Sequence, residues 1–183
     1  MELTKSIINS KFIKLFFIAV LGSVLLTISA KIKIPFYPVP MTMQTFVVLF
    51  LGISFGYKVG TAAVVLYLIE GISGLPVFSN SPEKGIGISY FIGPTMGYLI
   101  GFVFASMLAG YLKYNKNFFL NFFKVTISTS LIYFFGVLWL GTLIGWDKPI
   151  LQLGVYPFLL AELFKILLIT LLINKIIKLR KFI

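Results

Sequence analysis

Residues 12–30 read FIKLFFIAVLGSVLLTISA, an apolar run whose one charged residue is Lys14 near its start. A helix that crosses the hydrocarbon core of a bilayer needs about 20 mostly apolar residues. The run has that length, and it ends in Ile28-Ser29-Ala30 rather than in an A-x-A-like cleavage site. We therefore predict a retained membrane-spanning helix over about residues 12–30, not a cleaved signal peptide.

The composition of the whole chain points to a membrane protein as well. Of its 183 residues, 59% are hydrophobic and 11% are charged, whereas soluble domains carry about 25% charged residues. A soluble domain of this size has too much surface per unit volume to hide so much apolar material. We predict a single transmembrane domain that fills the chain.

Further apolar runs follow, separated by segments that cannot continue a helix. A proline cluster at residues 35–40 and an irregular stretch at Val77–Ile92, rich in glycine and polar residues, are the clearest breaks. The apolar runs between the breaks predict five more spans, at about residues 41–56, 59–76, 93–112, 119–145 and 155–177. The predicted fold is all-α, a polytopic bundle of six transmembrane helices.

The positive charges give this bundle an orientation. Cytoplasmic loops of membrane proteins carry the excess of Lys and Arg. With the N-terminus inside, eleven of the 16 Lys and Arg residues fall on the inner side and four on the outer side, while Lys165 lies within a span. Both termini are therefore predicted to be cytoplasmic and Val77–Ile92 to be an outer loop. Since the net charge of +11 is spread over loops and tails, we predict no nucleic-acid partner.

Several kinds of chemistry lack the residues they need. The chain has no Cys and no His, which removes disulfides, Cys/His metal sites and the commonest general base. It also has no G-x-x-x-x-G-K-[ST] loop for ATP. We predict no catalytic residues, no metal and no cofactor.

Ionisable residues inside a membrane are costly and usually functional. There are three here, Glu70, Glu162 and Lys165. Glu162 and Lys165 are three residues apart and share a helix face. They form either a mutually neutralising salt bridge or a polar pocket whose ammonium is free to bind a carboxylate. Glu70 either binds a ligand or reaches toward water or a neighbouring Ser or Tyr.

Two other features have a functional and an ordinary interpretation. Phe78, Ser79 and Asn80 lie in the long outer loop, which acts either as a lid on a site or as a surface loop. Ala19 and Ser23 form a small-xxx-small pair on the first helix. Such a pair lets helices approach closely, either within the chain or against a partner protein.

Three motifs, in order, resemble the BioY family. Residues 39–46 read VPMTMQTF, residues 74–78 read GLPVF and residues 93–102 read GPTMGYLIGF. They resemble that family's V-P-V/M-T-x-Q-T-F, G-x-P-V-F and G-P-T-x-G-Y-L-x-G-F segments, and the similarity extends from the first helix to the sixth. BioY proteins are the biotin-specific, substrate-binding S components of energy-coupling-factor (ECF) transporters.

The resemblance implies a six-helix bundle with an outward-facing biotin pocket. The family's G-D-x-x-K motif is represented here by Ala161-Glu162-x-x-Lys165, with the acid associated with the ureido head and the lysine with the carboxylate. It also implies that the pair Ala19 and Ser23 contacts a transmembrane coupling subunit, while separate cytoplasmic subunits hydrolyse ATP. The predicted substrate site comprises Gln44, Phe78, Asn80, Tyr90, Gly93, Tyr156, Glu162 and Lys165.

This site suits biotin chemically. A carboxylate accepts hydrogen bonds from the ureido N–H groups, Asn80 or a backbone N–H donates to the ureido carbonyl, and aromatic side chains pack on the fused rings. We predict biotin uptake at the bacterial plasma membrane, by the chain alone, by a homo-oligomer or with an energising module. The alternatives are an S component for another vitamin, a small membrane enzyme that uses Glu162 as acid or base, and a purely structural membrane subunit.

Overall fold

The protein is helical through most of its length. The computed structural model describes residues 2–35 and 37–183, with side chains from residue 11 onward within those ranges. The α-helices are α1 (Glu2–Lys31), α2 (Gln44–Ile72), α3 (Gly87–Phe91), α4 (Met96–Tyr111), α5 (Phe118–Ile144), α6 (Ile150–Gly154) and α7 (Leu159–Ile176). Two short strands, β1 (Lys33–Ile34) and β2 (Met41–Thr42), pair between α1 and α2, and 3₁₀ turns at Tyr156–Phe158 and Ile177–Phe182 flank α7.

The long helices have the length and composition of membrane spans. In the described part of the chain, four helical stretches are long and apolar enough to cross a bilayer, and α4 is a shorter apolar helix. The four stretches are Lys11–Lys31, Gln44–Ile72, Phe118–Ile144 and Ile150–Phe182. The chain is therefore a multi-pass membrane protein, as its composition predicts.

Helix α2 contains two of the predicted spans, joined by a sharp bend at Gly56. Gly56 has φ +68° and ψ 171°, a conformation that is readily open only to glycine. A Cβ placed on Gly60 would lie 2.5 Å from the carbonyl oxygen of Leu51, although nine residues span roughly 13 Å along a straight helix. The two arms therefore fold back on each other. With α1, α4, α5 and α7 they make six segments, so the all-α six-helix prediction is confirmed.

Two predicted helix boundaries move because the chain takes another structure there. The second predicted span begins at Gln44 rather than residue 41, since Met41–Thr42 pairs with Lys33–Ile34 as an antiparallel ladder. The third ends at Ile72 rather than residue 76. There Gly74 has φ +103°, and Leu75 precedes a proline, which disfavours helical backbone.

The remaining boundaries follow the sequence more closely. Helix α5 differs from its predicted range by one residue at each end. Helix α4 begins only after Pro94, and α7 begins after the 3₁₀ turn that contains Pro157. Helix α1 extends to Glu2, ten residues before its predicted start. The short helices α3 and α6 lie in connections that we predicted as loops.

Contacts between the connections define two ends of the bundle. At the first, the Lys31 end, the ammonium groups of Lys31 and Lys33 donate to segment 78–81. At the other, the Arg180 end, the 3₁₀ turn after α7 contacts the bend in α2 and the end of α4. The structure thus separates the connections into the two groups that the charge pattern predicts.

One face of α1 is packed inside the chain. Ala19 and Ser23 are 8% and 1% exposed, and the Ser23 hydroxyl donates to Glu70 Oε1 in α2 at 3.0 Å. In this structure α2 occupies their face, so the pair packs within the chain, which is one of its two interpretations. Glu70 meets a neighbouring serine, as one of its two interpretations expects. The exposed side of α1 is apolar and includes Phe12, Phe16 and Leu21.

Arg180 caps the bend of α2. Its Nε donates to the carbonyl oxygen of Ile53 at 2.8 Å and its Nη2 to that of Gly110 at 3.0 Å. The non-helical ψ of Gly56 turns the Tyr57 N–H away from Ile53, whose carbonyl would otherwise lack a donor. The planar guanidinium reaches both carbonyls at once.

We expect Arg180→Ala to destabilise the protein by about 1–3 kcal/mol, since two partly buried carbonyls lose a charged donor. Thermal unfolding in detergent measures the change. Lys181→Ala is the matched control, because Lys181 is the exposed neighbour of Arg180. Equal melting temperatures for the two variants would show that the Arg180 cap does not contribute to stability.

Candidate functional site

A cavity of about 50 Å³ lies at the Lys31 end, enclosed by α2, α4, α5, α7 and the segments before α2 and α4. Its walls are mostly apolar and aromatic, with a few hydroxyl groups, one amide and one carboxylate. Its lining residues are Val39, Pro40, Met41, Thr42, Gln44, Thr45, Phe78, Ser79, Tyr90, Thr95, Tyr98, Leu99, Phe102, Ile132, Tyr133, Phe158 and Glu162. Such a surface, apolar with few convergent polar groups, is typical of small-molecule sites.

Four of the eight predicted substrate-site residues line this cavity: Gln44, Phe78, Tyr90 and Glu162. They come from four different segments of the chain, namely α2, the segment after α2, α3 and α7. The fold thus brings together side chains that are up to 118 residues apart in sequence. The other four, Asn80, Gly93, Tyr156 and Lys165, lie outside the lining.

Glu162 and Lys165 form a buried ion pair on α7. Lys165 Nζ lies 2.6 Å from Glu162 Oε1, and both side chains are almost fully buried. The same ammonium donates to the carbonyl oxygen of Thr42 at 2.6 Å and to Thr45 Oγ1 at 3.0 Å. The Thr45 hydroxyl in turn donates to Glu162 Oε1 at 2.9 Å. The network fixes the carboxylate and neutralises its charge.

The second carboxylate oxygen of Glu162 is not used by this network. Within the described residues, Oε2 is buried and has no hydrogen-bond partner. Glu162 and Tyr133 both line the cavity. A buried charged acceptor without a partner is costly. The geometry therefore provides a fixed acceptor for a ligand that donates N–H or O–H groups.

Lys165 lies behind this carboxylate rather than in the cavity. It lines a separate groove of about 600 Å³ between the β1–β2 hairpin and α7. An ammonium has three N–H donors, and three protein oxygens accept from this one. The structure therefore has the salt bridge of the first interpretation, with the N–H groups of Lys165 bonded to protein oxygens.

Aromatic rings form the wall nearest the long loop. Phe78 is 1% exposed and stacks on Tyr90, with ring centroids 5.3 Å apart and planes at 15°. The Tyr67 ring meets Phe78 edge-on at 5.5 Å. On its far side Phe78 abuts Gly71, where an added Cβ would lie 2.1 Å from the Phe78 ring. Phe78 fits only because residue 71 has no side chain.

Gln44 is held at the cavity by its neighbours. Its Nε2 donates to the Tyr67 hydroxyl at 2.8 Å, and that hydroxyl donates to the carbonyl oxygen of Val77 at 3.2 Å. The Thr42 hydroxyl contacts Gln44 Oε1 at 3.3 Å. This chain of hydrogen bonds links the start of α2 to the segment that carries Phe78.

Asn80, Gly93 and Tyr156 have other positions than predicted. Asn80 Oδ1 accepts from Lys33 and its backbone N–H donates to the Tyr90 hydroxyl. The Gly93 carbonyl accepts from the indole N–H of Trp139 at 2.9 Å. Both support the wall from outside. Tyr156 is 56% exposed and is not one of the lining residues. Phe158, two residues later, takes the wall position because the 3₁₀ turn rotates the chain there.

Several lining residues were not predicted. Thr42 and Thr45 flank Gln44 in the first motif, and Tyr98 belongs to the third, so the motifs contained a signal for them. Tyr133 and Ile132 lie mid-way in α5, in an apolar stretch with no local signal. Only the packing of α5 against α4 brings those two residues to the cavity.

Two lysines hold the outer wall of the cavity in place. Lys31 Nζ donates to the carbonyl oxygens of Phe78 and Ser81, at 2.8 and 2.5 Å. Lys33 Nζ donates to the carbonyl oxygen of Ser79 at 2.7 Å and to Asn80 Oδ1 at 3.0 Å. Segment 78–81 is therefore attached to the hairpin by hydrogen bonds from charged donors rather than by apolar packing alone.

Comparison with known proteins places the chain in a family. A probable biotin transporter BioY of Pyrococcus horikoshii is 36% identical over 146 residues, which cover 77% of this chain and 82% of that protein. The biotin transporter BioY of Thermotoga maritima is 35% identical over 156 residues, 85% of this chain and 90% of its own length.

The fold has a counterpart among solved structures. The S-component for biotin from an ECF-type ABC transporter superposes with a TM-score of 0.77, covering 93% of this chain and 94% of that one at 24% identity. The fold of the two proteins is therefore shared. The model of the BioY family matches residues 4–182, almost the whole chain, and the chain belongs to the BioY family.

Proposed function

We propose that this protein is the biotin-binding subunit of an ECF-type uptake system. The observation that carries the proposal is Glu162 Oε2, a buried carboxylate oxygen without a partner in the described structure, at the wall of an aromatic cavity. Relatives named as biotin transporters support the choice of ligand.

The chemistry of biotin matches the cavity. Its ureido head has two N–H donors and one carbonyl acceptor, and a fixed carboxylate accepts from N–H donors. Gln44, which lines the cavity, retains a second amide hydrogen beside the one given to Tyr67. That hydrogen can be donated to the ureido carbonyl. Phe78 and Phe102 then provide apolar walls for the fused rings.

Lys165 has a supporting role in this proposal. A buried carboxylate is costly unless a cation pairs with it. The ammonium of Lys165 lies 2.6 Å from Oε1, while Oε2 has no partner in the described structure. Lys165 thereby compensates the charge of the ligand acceptor and holds it in position without touching the ligand.

The cavity must widen to admit biotin. Its volume of about 50 Å³ is well below the roughly 300–1,000 Å³ of sites for drug-sized ligands. Segment 78–81 is held by the packing of Phe78 on Tyr67 and Tyr90 and, on its hairpin side, by lysine hydrogen bonds. We expect this segment to move outward when the ligand enters, which is the lid role considered for the loop.

Transport follows from the same assignment. We propose that the chain acts in the bacterial plasma membrane with both ends cytoplasmic, without enzymatic activity or a cofactor of its own. A transmembrane coupling subunit and cytoplasmic ATPase subunits would supply the energy. Since α2 covers Ala19 and Ser23, the coupling subunit would meet α1 on its exposed apolar side, which includes Phe12 and Phe16.

Purified protein in detergent is expected to bind biotin at a 1:1 ratio in isothermal titration calorimetry. Thiamine and riboflavin are expected to show no detectable binding. Mass spectrometry of small molecules that co-purify with the protein provides an independent identification. Another vitamin in place of biotin in both measurements would keep the S-component fold but overturn the ligand. No bound molecule and no binding would favour a structural subunit.

A further inference from the structure

The cavity has an acceptor for the ureido head of biotin, but its described lining has no cation for the carboxylate at the other end. This inference rests on the proposed function. Biotin has a carboxylate at the end opposite its ureido head, and a ligand anion needs a cation or several strong donors. None of the described residues that line the cavity is a Lys or Arg. Lys165, the cation on α7, is occupied by three protein oxygens.

Lys33 is the cation best placed to reach the cavity from outside. In the β1–β2 ladder it is paired with Thr42, and such cross-strand neighbours have side chains about 5 Å apart. Its ammonium donates to the carbonyl oxygen of Ser79 at 2.7 Å. Thr42 and Ser79 both line the cavity, so Lys33 contacts the cavity wall on two sides, while Lys33 itself lines the neighbouring groove that Lys165 also lines.

The present partners of Lys33 are weak competitors for a carboxylate. Ser79 O and Asn80 Oδ1 are neutral acceptors, whereas hydrogen bonds between two ionised groups are roughly twice as strong as neutral ones. Both acceptors belong to segment 78–81, which we expect to move when the cavity widens. Lys33 would then exchange them for the ligand.

We propose that Lys33 recognises the carboxylate of the bound ligand and makes the site selective for the anionic acid over neutral derivatives. Glu162 on α7 takes the ureido head, and Lys33 on the hairpin takes the tail. The ammonium turns from the oxygens of segment 78–81 to the carboxylate, so the charged end of the ligand replaces the attachment that held the wall closed.

Lys31 provides the matched control. It also donates to segment 78–81, through the carbonyl oxygens of Phe78 and Ser81. Of its acceptors Phe78 lines the cavity, so Lys31 also contacts the wall, but on one side only, because it is not paired in the ladder with a lining residue. A change at Lys31 weakens the attachment of the segment and leaves the carboxylate interaction in place.

The test compares biotin with biotinamide, which differs by a neutral tail, by calorimetry on wild type, Lys33→Gln and Lys31→Gln. Gln keeps a donor for the segment but removes the charge. We expect wild type to prefer biotin by about tenfold or more, the size of a charge-assisted hydrogen bond. Lys33→Gln should lose that preference through biotin alone, and Lys31→Gln should retain it.

A wild-type experiment keeps the test independent of variant folding. The N-hydroxysuccinimide ester of biotin carries an activated carbonyl at the tail. A lysine amine near it attacks the carbonyl, N-hydroxysuccinimide leaves, and the amine proton passes to solvent. Peptide mass spectrometry should find biotinylation of Lys33 that excess free biotin suppresses, with less suppression at Lys31 and Lys84.

Three results would overturn the assignment of Lys33. They are equal wild-type affinities for biotin and biotinamide, a biotin preference that survives in Lys33→Gln, and biotin-suppressed labelling at a different lysine. Each of these leaves biotin binding itself intact. Wild type that binds neither compound would instead remove the proposed function and this inference together.

Discussion

Glu162→Gln is expected to abolish detectable biotin binding and to lower the free energy of unfolding by about 3 kcal/mol. The substitution keeps the size of the side chain but removes its charge. Lys165, almost fully buried, then has no counter-ion and is left with neutral acceptors only, namely Thr42 O, Thr45 Oγ1 and the new amide oxygen. The cavity loses its ionised acceptor at the same time. Calorimetry measures the binding and denaturation in mixed detergent measures the stability.

The double variant Glu162→Gln/Lys165→Met separates these two effects. Removing both charges eliminates the uncompensated ammonium, and replacing a buried ion pair by neutral groups is often close to neutral for stability. We expect the double variant to recover most of the lost stability but none of the biotin binding. Restored binding in the double variant would show that the carboxylate is not the acceptor for the ureido head.

Gly71→Val is expected to destabilise the protein by about 3 kcal/mol and to weaken biotin binding at least tenfold. A Cβ at residue 71 would lie 2.1 Å from the Phe78 ring, and buried overpacking typically costs 1–3 kcal/mol, occasionally more. The better helix propensity of a side-chain residue offsets less than about 1 kcal/mol of this. The displaced ring can no longer stack on Tyr90 at 5.3 Å.

The control for Gly71→Val is a smaller side chain at residue 78. Phe78→Leu alone should be destabilising, because a buried aromatic contact is lost. In the combination Gly71→Val/Phe78→Leu the two changes should cost less than their sum, since the leucine leaves room for the valine. Strict additivity of the two free-energy changes would contradict direct contact between residues 71 and 78 as the cause.

The sequence predicts the architecture well because few backbone structures are stable in lipid. In an apolar run such as Phe118–Ile144 the backbone N–H and C=O groups have no water to bond, and a helix pairs them within the segment. Loops marked by prolines and lysines then fall into two groups at opposite ends. The same reasoning could not foresee that α2 is one helix bent at Gly56, because a positive φ is a property of the folded backbone.

The site was predicted in part, and the misses have a physical reason. Motif residues such as Gln44 and Phe78 reach the cavity. Tyr156 does not, because a single 3₁₀ turn decides which of Tyr156 and Phe158 faces inward. The acceptors Thr42 and Thr45 lie 123 and 120 residues before Lys165 in sequence. The spacing of residues along α7 could therefore predict the ion pair, but not that the other N–H groups of Lys165 donate to these two residues.

The cap on the bend of α2 also affects how the chain is assembled. Arg180 is 127 residues beyond Ile53, the carbonyl that it satisfies. Ribosomes add about 5–20 residues per second, so Arg180 is synthesised roughly 6–25 s after Ile53. During that interval the α2 hairpin is in the bilayer with an incomplete turn at its tip. The helical hairpin therefore forms early and becomes fully secured only as synthesis reaches the final helix.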